Sequence, residues 1–356
     1  MQKGTSFKHL TLTQRFSIER LLLKNYNYSN IADMVGCSIQ TIYNEVKRAR
    51  YIHLNSDYTE EDRYAPETAH SRYRANMKRK GSKPKLMQYK ELKEYIEALI
   101  KYFNYSPEAC VFIMQQENLN FGTTVCVNTI YNGIAKGYFD GISLADLPRK
   151  GKQKRKKRRI TQEKSLPAGT SIEKRNEKLP DIEERSEFGH WEMDCVIGKA
   201  TNRKTLLVLT ERKTRYEIIE PLKSKTTKEV VKALNRLEKR FKSAFYSIFK
   251  SITVDNGSEF KDFKGMEKAL YRKGKRTQLY YCHPRRPEER GSNENCNILV
   301  RRKFPKGTDF DKTVTRTKVK DAEFWINTYP RRLFNGECAA DLFKRELRIL
   351  HCRFDL

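Results

Sequence analysis

The first part of the chain alternates apolar and polar residues with the spacing of short helices. Leu12, Phe16 and Leu23 fall on one face of a first predicted helix. A second, shorter helix is predicted to end at Gly36, because glycine suits the left-handed residue that closes a helix. A third helix is predicted from about Ser38. Short helices joined by a tight turn are typical of a helix-turn-helix.

The third predicted helix has one apolar and one polar face. Ile42 and Val46 are expected to pack inward. The outward face mixes side chains that can bind base edges with side chains that can hold phosphates. It consists of Gln40, Thr41, Asn44, Lys47 and Arg48. A solvated helical hairpin without a ligand is the alternative interpretation.

The charge of the chain favours the DNA-binding interpretation. The 356 residues include 73 Lys and Arg against 44 Asp and Glu, a formal net charge of +29. A charge of this size opposes compaction unless an anion is bound, so double-stranded DNA is the expected partner. No segment has the roughly 20 consecutive apolar residues of a membrane span, and no membrane association is expected. The eight cysteines contain no CxxC pair, which argues against a zinc finger and for reduced thiols in the cytoplasm.

A weak repeat and two basic stretches suggest how the chain is divided. The sequence TIYNEV at 41–46 returns as TIYNGI at 129–134, which suggests a second helical domain resembling a helix-turn-helix. The block RKGKQKRKKRR at 149–159 is either an arm that lies along DNA phosphates or a flexible tether. The predicted divisions are a helix-turn-helix domain at 1–52, a basic linker at 53–87, the second helical domain at 88–142, a second basic linker at 143–180, and a last domain at 181–356 with a C-terminal helical tail.

The last domain has the pattern of an α/β fold. Three predicted strands are followed by a helix, then two further strands and another helix. The first of these helices has Val230, Leu234, Leu237 and Phe241 on one face. The strands are predicted at 190–199, 205–213, 216–224 and 277–282, and the segment 251–260 is predicted as a strand that runs into a loop. This order predicts a layered α/β fold with a mixed sheet.

Three carboxylates stand at places where such a fold brings side chains together. Asp194 lies inside the first strand, Asp255 lies where the fourth strand ends, and Glu294 lies in the first turn of the last helix. Strand ends and nearby helix starts meet in one crevice of an open sheet. Three acids without His or Cys suit Mg²⁺, and two such ions can clamp both oxygens of a phosphoryl transfer. Glu192 projects on the same side as Asp194. It is either an auxiliary metal ligand or the partner of a basic residue, and we favour the second role.

At these residues the chain resembles a known family. GHWEMDCVIG around Asp194, TVDNGSEF around Asp255 and ERGSNENCN around Glu294 are similar to the catalytic motifs of bacterial insertion-sequence-30 family transposases. The N-terminal helices and the tail INTYPRRLFNGECAADLF resemble that family too. The resemblance implies a ribonuclease-H-like integrase core in which Asp194, Asp255 and Glu294 form an Asp-Asp-Glu triad.

The same resemblance implies an activity. It implies cleavage at the terminal inverted repeats of an insertion sequence and joining to target DNA, with two Mg²⁺ ions for which Mn²⁺ substitutes. Two DNA ends must meet, so a homodimer or higher homo-oligomer on DNA is expected, associated with the bacterial nucleoid. A related recombinase or nuclease with the same metal chemistry is a second interpretation. A DNA-binding transcriptional regulator derived from a transposase with an inactive catalytic domain is the third.

Residues near the triad give further expectations. Trp191 is expected in the core, while His190 is a candidate to approach DNA. Asn297 lies one helical turn from Glu294 and is a candidate to reach a phosphate or a metal-bound water. Basic residues on either side of Glu294 are expected to form a rim that binds DNA phosphates, and a merely solvated face is the alternative. These basic residues are Arg290, Arg301, Arg302 and Lys303.

Overall fold

The computed structural model describes residues 9–150, 169–178, 184–283, 289 and 291–351. These residues divide into two compact units, Met1–Pro84 and Lys85–Leu356. No helix in the described ranges is both long and apolar enough to cross a membrane.

The first unit contains the predicted helix-turn-helix. Its elements are α1 (Leu12–Leu23), α2 (Tyr28–Val35), α3 (Ile39–Arg48), β1 (Arg50–Leu54), β2 (Glu60–Tyr64) and α4 (Pro66–Arg79). Gly36 closes α2 with φ 74°, and the Ser38 side chain caps α3, as the sequence predicts. Ile42 and Val46 are buried between the helices. Because glycine adopts a positive φ without strain, Gly36 allows the tight turn between α2 and α3.

Two details of these helices differ from the sequence prediction. The buried side chains of α1 are Arg15 and Ile18, while Leu12, Phe16 and Leu23 are 38%, 39% and 58% exposed. Arg15 is buried because its guanidinium pairs with buried Glu45 at 2.6 Å. A pairing between two distant segments overrides the apolar periodicity of a single helix. The start of α2 also differs, because the sequence favours Ser29 as its cap, whereas in the structure the side chain of Asn27 accepts from the N–H of Asn30 and caps the helix.

The segment 53–87, predicted as a basic linker, is largely folded. The strands β1 and β2 form an antiparallel hairpin, and α4 follows it. Tyr64 and Ala69 are buried in the same core as Ile42. The compact unit therefore extends well beyond residue 52. Both strands have five residues with mostly exposed side chains, and four of the five in β2 are charged. Such short exposed strands leave little apolar periodicity, so the sequence pattern did not predict them.

The second unit begins with a helical segment. It contains α5 (Lys85–Gln88), α6 (Lys90–Lys101), α7 (Pro107–Gln116) and α8 (Val127–Ala135). Apolar side chains from all four helices share one core, including Leu86, Ile96, Cys110 and Ile130. Its connection to the rest of the unit is direct, because Trp325 donates from Nε1 to the carbonyl of Phe103 at 2.7 Å.

Part of the predicted linker at 143–180 is also folded. Leu147 is buried in the core of the helical segment. The short helix α9 (Ile172–Lys178) lies against the sheet, where Arg175 donates to Thr253 Oγ1 at 2.9 Å. Most of the basic block at 149–159 lies outside the described residues. The composition of a basic stretch cannot predict that one of its arginines is buried and hydrogen-bonded.

The five-stranded sheet is mixed, as predicted. Its strands are β3 (His190–Ile197), β4 (Thr205–Glu211), β5 (Glu217–Leu222), β6 (Ser251–Val254) and β7 (Gln278–Tyr281). They run in the order β5-β4-β3-β6-β7. The pairs β5–β4 and β4–β3 are antiparallel, and the pairs β3–β6 and β6–β7 are parallel.

Helices cover both faces of this sheet. They are α10 (Thr227–Phe241), α11 (Phe245–Ile248), α12 (Phe263–Glu267), α13 (Gly291–Lys303), α14 (Phe310–Thr313), α15 (Arg316–Thr328) and α16 (Ala339–Ile349). Met193 packs in the core that α10, α11 and α16 share. Val196, Leu206 and Val208 pack in the opposite core with α13 and α15. Since side chains alternate along a strand, Glu192 and Asp194 of β3 point to the side of α13.

Candidate active site at the β3–β6 edge

Two of the predicted acids lie on neighbouring strands. The parallel register pairs His190 with Ser251 and Glu192 with Thr253. Continuing that register by two residues sets Asp194 beside Asp255, at the point where β6 ends. Neighbouring strands lie about 4.8 Å apart, so the two carboxylates share one edge of the sheet.

Asp194 is half-buried and oriented by hydrogen bonds from both sides of its carboxylate. The backbone N–H of Cys195 donates to Oδ1 at 2.8 Å. The side chain of Asn297 in α13 donates from Nδ2 to Oδ2 at 3.0 Å. The Asn297 side chain, predicted as a candidate to reach a phosphate, therefore holds the first acid.

Asp255 stands on a turn that the following residues shape. The backbone N–H of Gly257 donates to Asp255 Oδ1 at 2.9 Å. Asn256 donates from Nδ2 to the carbonyl of Cys282 at 2.8 Å, which pins the turn to the end of β7. A Cβ on Gly257 would lie 2.9 Å from Asp255 Oδ1, so the close approach of this carboxylate requires glycine.

Glu294 lies in the first turn of α13 with its side chain exposed. Its neighbours on the helix are attached to β3. The N–H of Asn293 donates to Glu192 Oε2 at 2.8 Å, and Asn297 contacts Asp194. The helix therefore starts directly over the strand that carries the first acid.

Glu192 is fully buried and connects three elements. Besides the hydrogen bond from Asn293, its Oε1 lies 3.7 Å from Nε of Arg212, which is also buried. The expected role of Glu192 as the partner of a basic residue is confirmed. Burial of a carboxylate is costly unless it is paired and hydrogen-bonded, and this one has both kinds of partner.

The pKa of the Cys195 thiol shows which charged groups act in the region of these acids. Burial raises the pKa of Cys195, and the charges of Glu259, Asp194 and Asp255 raise it further. Glu259 therefore belongs to the same negative region. It was not singled out from the sequence, although it stands in the motif TVDNGSEF that surrounds Asp255.

The three predicted acids are not collected around one point. Among the described residues, no group of three or more His, Cys, Asp or Glu side chains is placed to hold a metal ion. The donor set itself suits a hard cation, because it consists of carboxylate oxygens. The residues thus suit Mg²⁺ by their chemistry, although the structure does not gather them around one point.

The residues that precede the first acid have structural roles. Trp191 is fully buried and stacks on Phe249 with ring centroids 4.6 Å apart, which confirms the expected core position. His190 is also buried, and its Nδ1 lies 2.7 Å from Ser251 Oγ. Burial lowers the pKa of His190. The expectation that His190 approaches DNA is wrong, because its buried ring is held between Ser251 of β6 and Glu187, whose Oε2 lies 3.0 Å from Nε2.

The predicted basic residues on either side of Glu294 differ in their surroundings. Arg301 donates to the carbonyl of Ile197 at 2.8 Å. Although burial lowers the pKa of Arg301, the charge of Asp194 opposes this effect, so Arg301 lies near the first acid. Arg302 and Lys303 lie over the ring of Trp325, at 5.0 and 4.1 Å from its centroid. Arg290 lies outside the described residues.

The polar face of α3 presents the predicted DNA-contacting residues unequally. Gln40, Asn44 and Lys47 are exposed, and Gln40 donates to Asn44 Oδ1 at 3.2 Å. Thr41 is half-buried, with its Oγ1 2.9 Å from Ser38 Oγ. Arg48 pairs with the buried carboxylate of Glu45. The side chain of Tyr43, 49% exposed on the same face, was missed because aromatic residues are usually assigned to the core.

Comparison with known proteins agrees with both parts of this description. A family model described as a helix-turn-helix domain matches residues 6–49, and a model described as an integrase core domain matches residues 184–287. The integrase-core match identifies the α/β fold of the second unit as ribonuclease-H-like.

Three curated relatives extend the likeness over the chain. The transposase for insertion sequence element IS4351 of Bacteroides fragilis is 30% identical over 95% of this chain and 96% of its own length. The transposase InsI for insertion sequence element IS30A of Escherichia coli is 27% identical over 97% of this chain and 85% of its own length. A probable transposase for the element IS1161 of Streptococcus salivarius is 36% identical over 61% of this chain, and the match spans 58% of that relative. With a helix-turn-helix, an integrase core and relatives matched nearly end to end, this chain belongs to the insertion-sequence-30 family of transposases.

Proposed function

We propose that this transposase binds the terminal inverted repeats of its insertion sequence and catalyses metal-dependent cleavage and strand transfer of DNA. Asp194, Asp255 and Glu294 are the proposed catalytic acids. The observation that carries the proposal is the attachment of α13 to β3 through two hydrogen bonds, Asn293 to Glu192 and Asn297 to Asp194. This attachment supports convergence of the exposed Glu294 with the pair of aspartates when a cation is present.

The chain's own residues supply the ligands and their orientation. Asp194 and Asp255 offer carboxylate oxygens from neighbouring strands, and Glu294 offers one from the helix. When bound, two Mg²⁺ ions would stabilise the attacking and leaving oxygens of the phosphoryl transfer, and Mn²⁺ is expected to substitute. Asn297 fixes one oxygen of Asp194, and Gly257 fixes one oxygen of Asp255. Oriented acids lose less freedom when a ligand binds.

DNA binding is assigned to two surfaces. The exposed polar face of α3 is proposed to read the inverted repeats in the major groove, with Gln40 and Asn44 at base edges and Lys47 on phosphates. Arg301 is proposed to hold a phosphate near Asp194. Because two element ends must be brought together, a homodimer or higher assembly on DNA is part of the proposal. The alternative of a regulator with an inactive catalytic domain is not favoured, since the named relatives are transposases.

The test uses the three isosteric neutral variants Asp194→Asn, Asp255→Asn and Glu294→Gln. Each variant of the full chain is incubated with labelled duplex carrying an element end, with Mg²⁺, and nicked and joined products are counted. Each substitution should abolish both products while end binding persists, because cation binding needs the lost charge. Glu91→Gln, an exposed change on α6, is the matched control and should leave product formation unchanged. Cleavage by all three variants would contradict the assignment.

A further inference from the structure

A lysine–glutamate ion pair lies beside the proposed active site and has no part in the function proposed above. Nζ of Lys225 lies 3.1 Å from Oε1 of Glu259. The lysine comes from the segment between β5 and α10, and the glutamate from the short helical turn after Asp255. Their side chains are 46% and 4% exposed, respectively, so the carboxylate is fixed and the ammonium is open to solvent.

The surroundings of Gly257 show that Glu259 lies close to Asp255. A Cβ built on Gly257 would lie 2.7 Å from Glu259 Oε2 and 2.9 Å from Asp255 Oδ1. Oε2 of Glu259 and Oδ1 of Asp255 therefore both lie close to the backbone of Gly257. Oε2 of Glu259 is buried and has no hydrogen-bond partner among the described residues. The lysine on the other oxygen is consequently held near Asp255, close enough for the charge of that carboxylate to act on it.

The charges of the region agree with this position. Burial works against the charged form of Lys225, yet the hydrogen bond and charge of Glu259 raise the pKa of Lys225, with smaller contributions from Cys195 and Asp255. The ammonium thus faces the same negative region as the thiol of Cys195. It stays charged while DNA approaches.

The geometry leaves the ammonium with unused capacity. A lysine has three N–H donors, and the bond to Glu259 uses one of them. Neutralising the carboxylate of Glu259 needs only one of these donors, and water and salt weaken a half-exposed pair. The half-exposed position of Lys225 leaves its other N–H donors directed to solvent. They lie near the end of the sheet where Asp194 and Asp255 would repel a DNA backbone.

We propose that Lys225 contacts a DNA phosphate adjacent to the bond that is cut, and that Glu259 is the positioning residue that holds its ammonium beside Asp255. The inference rests on the proposed function, because it requires DNA to enter at the edge formed by Asp194 and Asp255. It adds a phosphate-contacting residue from the loop before α10 to that site.

The first measurement is the salt dependence of DNA binding in EDTA, with the full chain and a duplex carrying an element end. Lys225→Gln should lower the slope of log affinity against log salt by about 0.9, the value for one lost phosphate contact. The matched control is Lys232→Gln, which removes an exposed lysine paired with Glu229 at 2.8 Å on α10. The control should leave the slope unchanged, and Lys225→Arg should restore it.

The second measurement separates phosphate contact from simple neutralisation of Glu259. If Lys225 only neutralises that carboxylate, the double variant Lys225→Gln with Glu259→Gln should recover the wild-type slope and product yield. We expect no recovery, and about tenfold less joined product than wild type at limiting DNA. Thermal melting verifies that each variant is folded. Recovery in the double variant, or an unchanged slope in Lys225→Gln, would overturn the proposal.

The two proposals fail in distinguishable ways. A wild-type chain that cuts no DNA with any divalent cation would contradict the proposed function, while the slopes measured in EDTA would still decide the role of Lys225. Normal cleavage together with a normal slope in Lys225→Gln would remove the lysine from the site and leave the three acids in place.

Discussion

The backbone N–H of Asn293 donates to the carboxylate of Glu192 at 2.8 Å. This bond joins the first turn of α13 to the middle of β3, one residue before Glu294 on the helix and two residues before Asp194 on the strand. A carboxylate near a helix N-terminus also interacts favourably with the helix dipole. Glu192 therefore sets where the helix begins.

Glu192→Gln should destabilise the protein and impair, but not abolish, strand transfer. The amide retains an oxygen for Asn293 but removes the charge that faces Arg212. We expect the free energy of unfolding to fall by about 1–3 kcal/mol, measured by urea denaturation. Glu220→Gln, which breaks a more exposed pair with Arg236, should cost less. A fully stable variant as inactive as Asp194→Asn would instead place Glu192 among the acids that act directly.

Gly257→Ala should abolish cleavage while DNA binding persists. The new methyl group would lie 2.7 Å from Glu259 Oε2 and 2.9 Å from Asp255 Oδ1, so at least one carboxylate must move. Gly291→Ala is the matched control, because its nearest neighbour would be 3.7 Å away at Nη2 of Arg185. The comparison is made by counting nicked and joined products. Equal activity in the two variants would show that the turn tolerates displacement of both acids.

Gln40→Ala and Asn44→Ala should each weaken binding to an element end by about 1–3 kcal/mol and relax sequence preference. Lys47→Ala should weaken binding to all sequences and lower the salt slope by about 0.9. Fluorescence anisotropy with end and random duplexes distinguishes the two effects. Equal losses on both duplexes for Gln40→Ala and Asn44→Ala would remove them from base recognition.

The free energy of unfolding should fall as the pH rises from about 4.5 to about 7, because the chain contains a fully buried glutamate, Glu217. Burial raises the pKa of Glu217 to about 7, from an ordinary value of 4.5. Between these two values the folded chain holds a proton that the unfolded chain has lost, so raising the pH favours unfolding. The effect is on the order of 3 kcal/mol. Urea denaturation from pH 5 to pH 8 measures it.

The variant Glu217→Gln provides the control for this pH dependence. An amide cannot ionise, so the decline in stability should become shallower in the variant. Glu323 will contribute a remaining slope, because burial raises the pKa of its carboxyl to about 7 as well. An identical pH profile in wild type and variant would show that Glu217 does not carry the linkage.

The sequence predicted the fold where the apolar pattern was strong. Val230, Leu234, Leu237 and Phe241 are all buried on α10, and the strands of the mixed sheet lie at the predicted positions. It failed where folding depends on pairing between distant polar groups. Arg15 in α1 is an example, because no periodicity within one helix reveals its bond to Glu45.

The candidate site was predictable in its elements but not in its supporting contacts. Asp194, Asp255 and Glu294 stand in local motifs, and the structure places them on two strands and a helix that meet, while their roles stay a prediction. The pairing of Lys225 with Glu259 joins two segments more than thirty residues apart. A lysine in a loop between a strand and a helix carries no pattern that singles it out.

The helix α13 is bonded to different parts of the protein at its two ends. Its first turn is bonded to β3, and near its last turn Arg302 lies over Trp325 and donates to the carbonyl of Asn104 in the helical segment 85–147. Thirteen helical residues span about 20 Å and bend little. We therefore expect a displacement of the helical segment to be transmitted along α13 to Glu294, which would make the alignment of the third acid depend on a layer of the protein remote from the reaction.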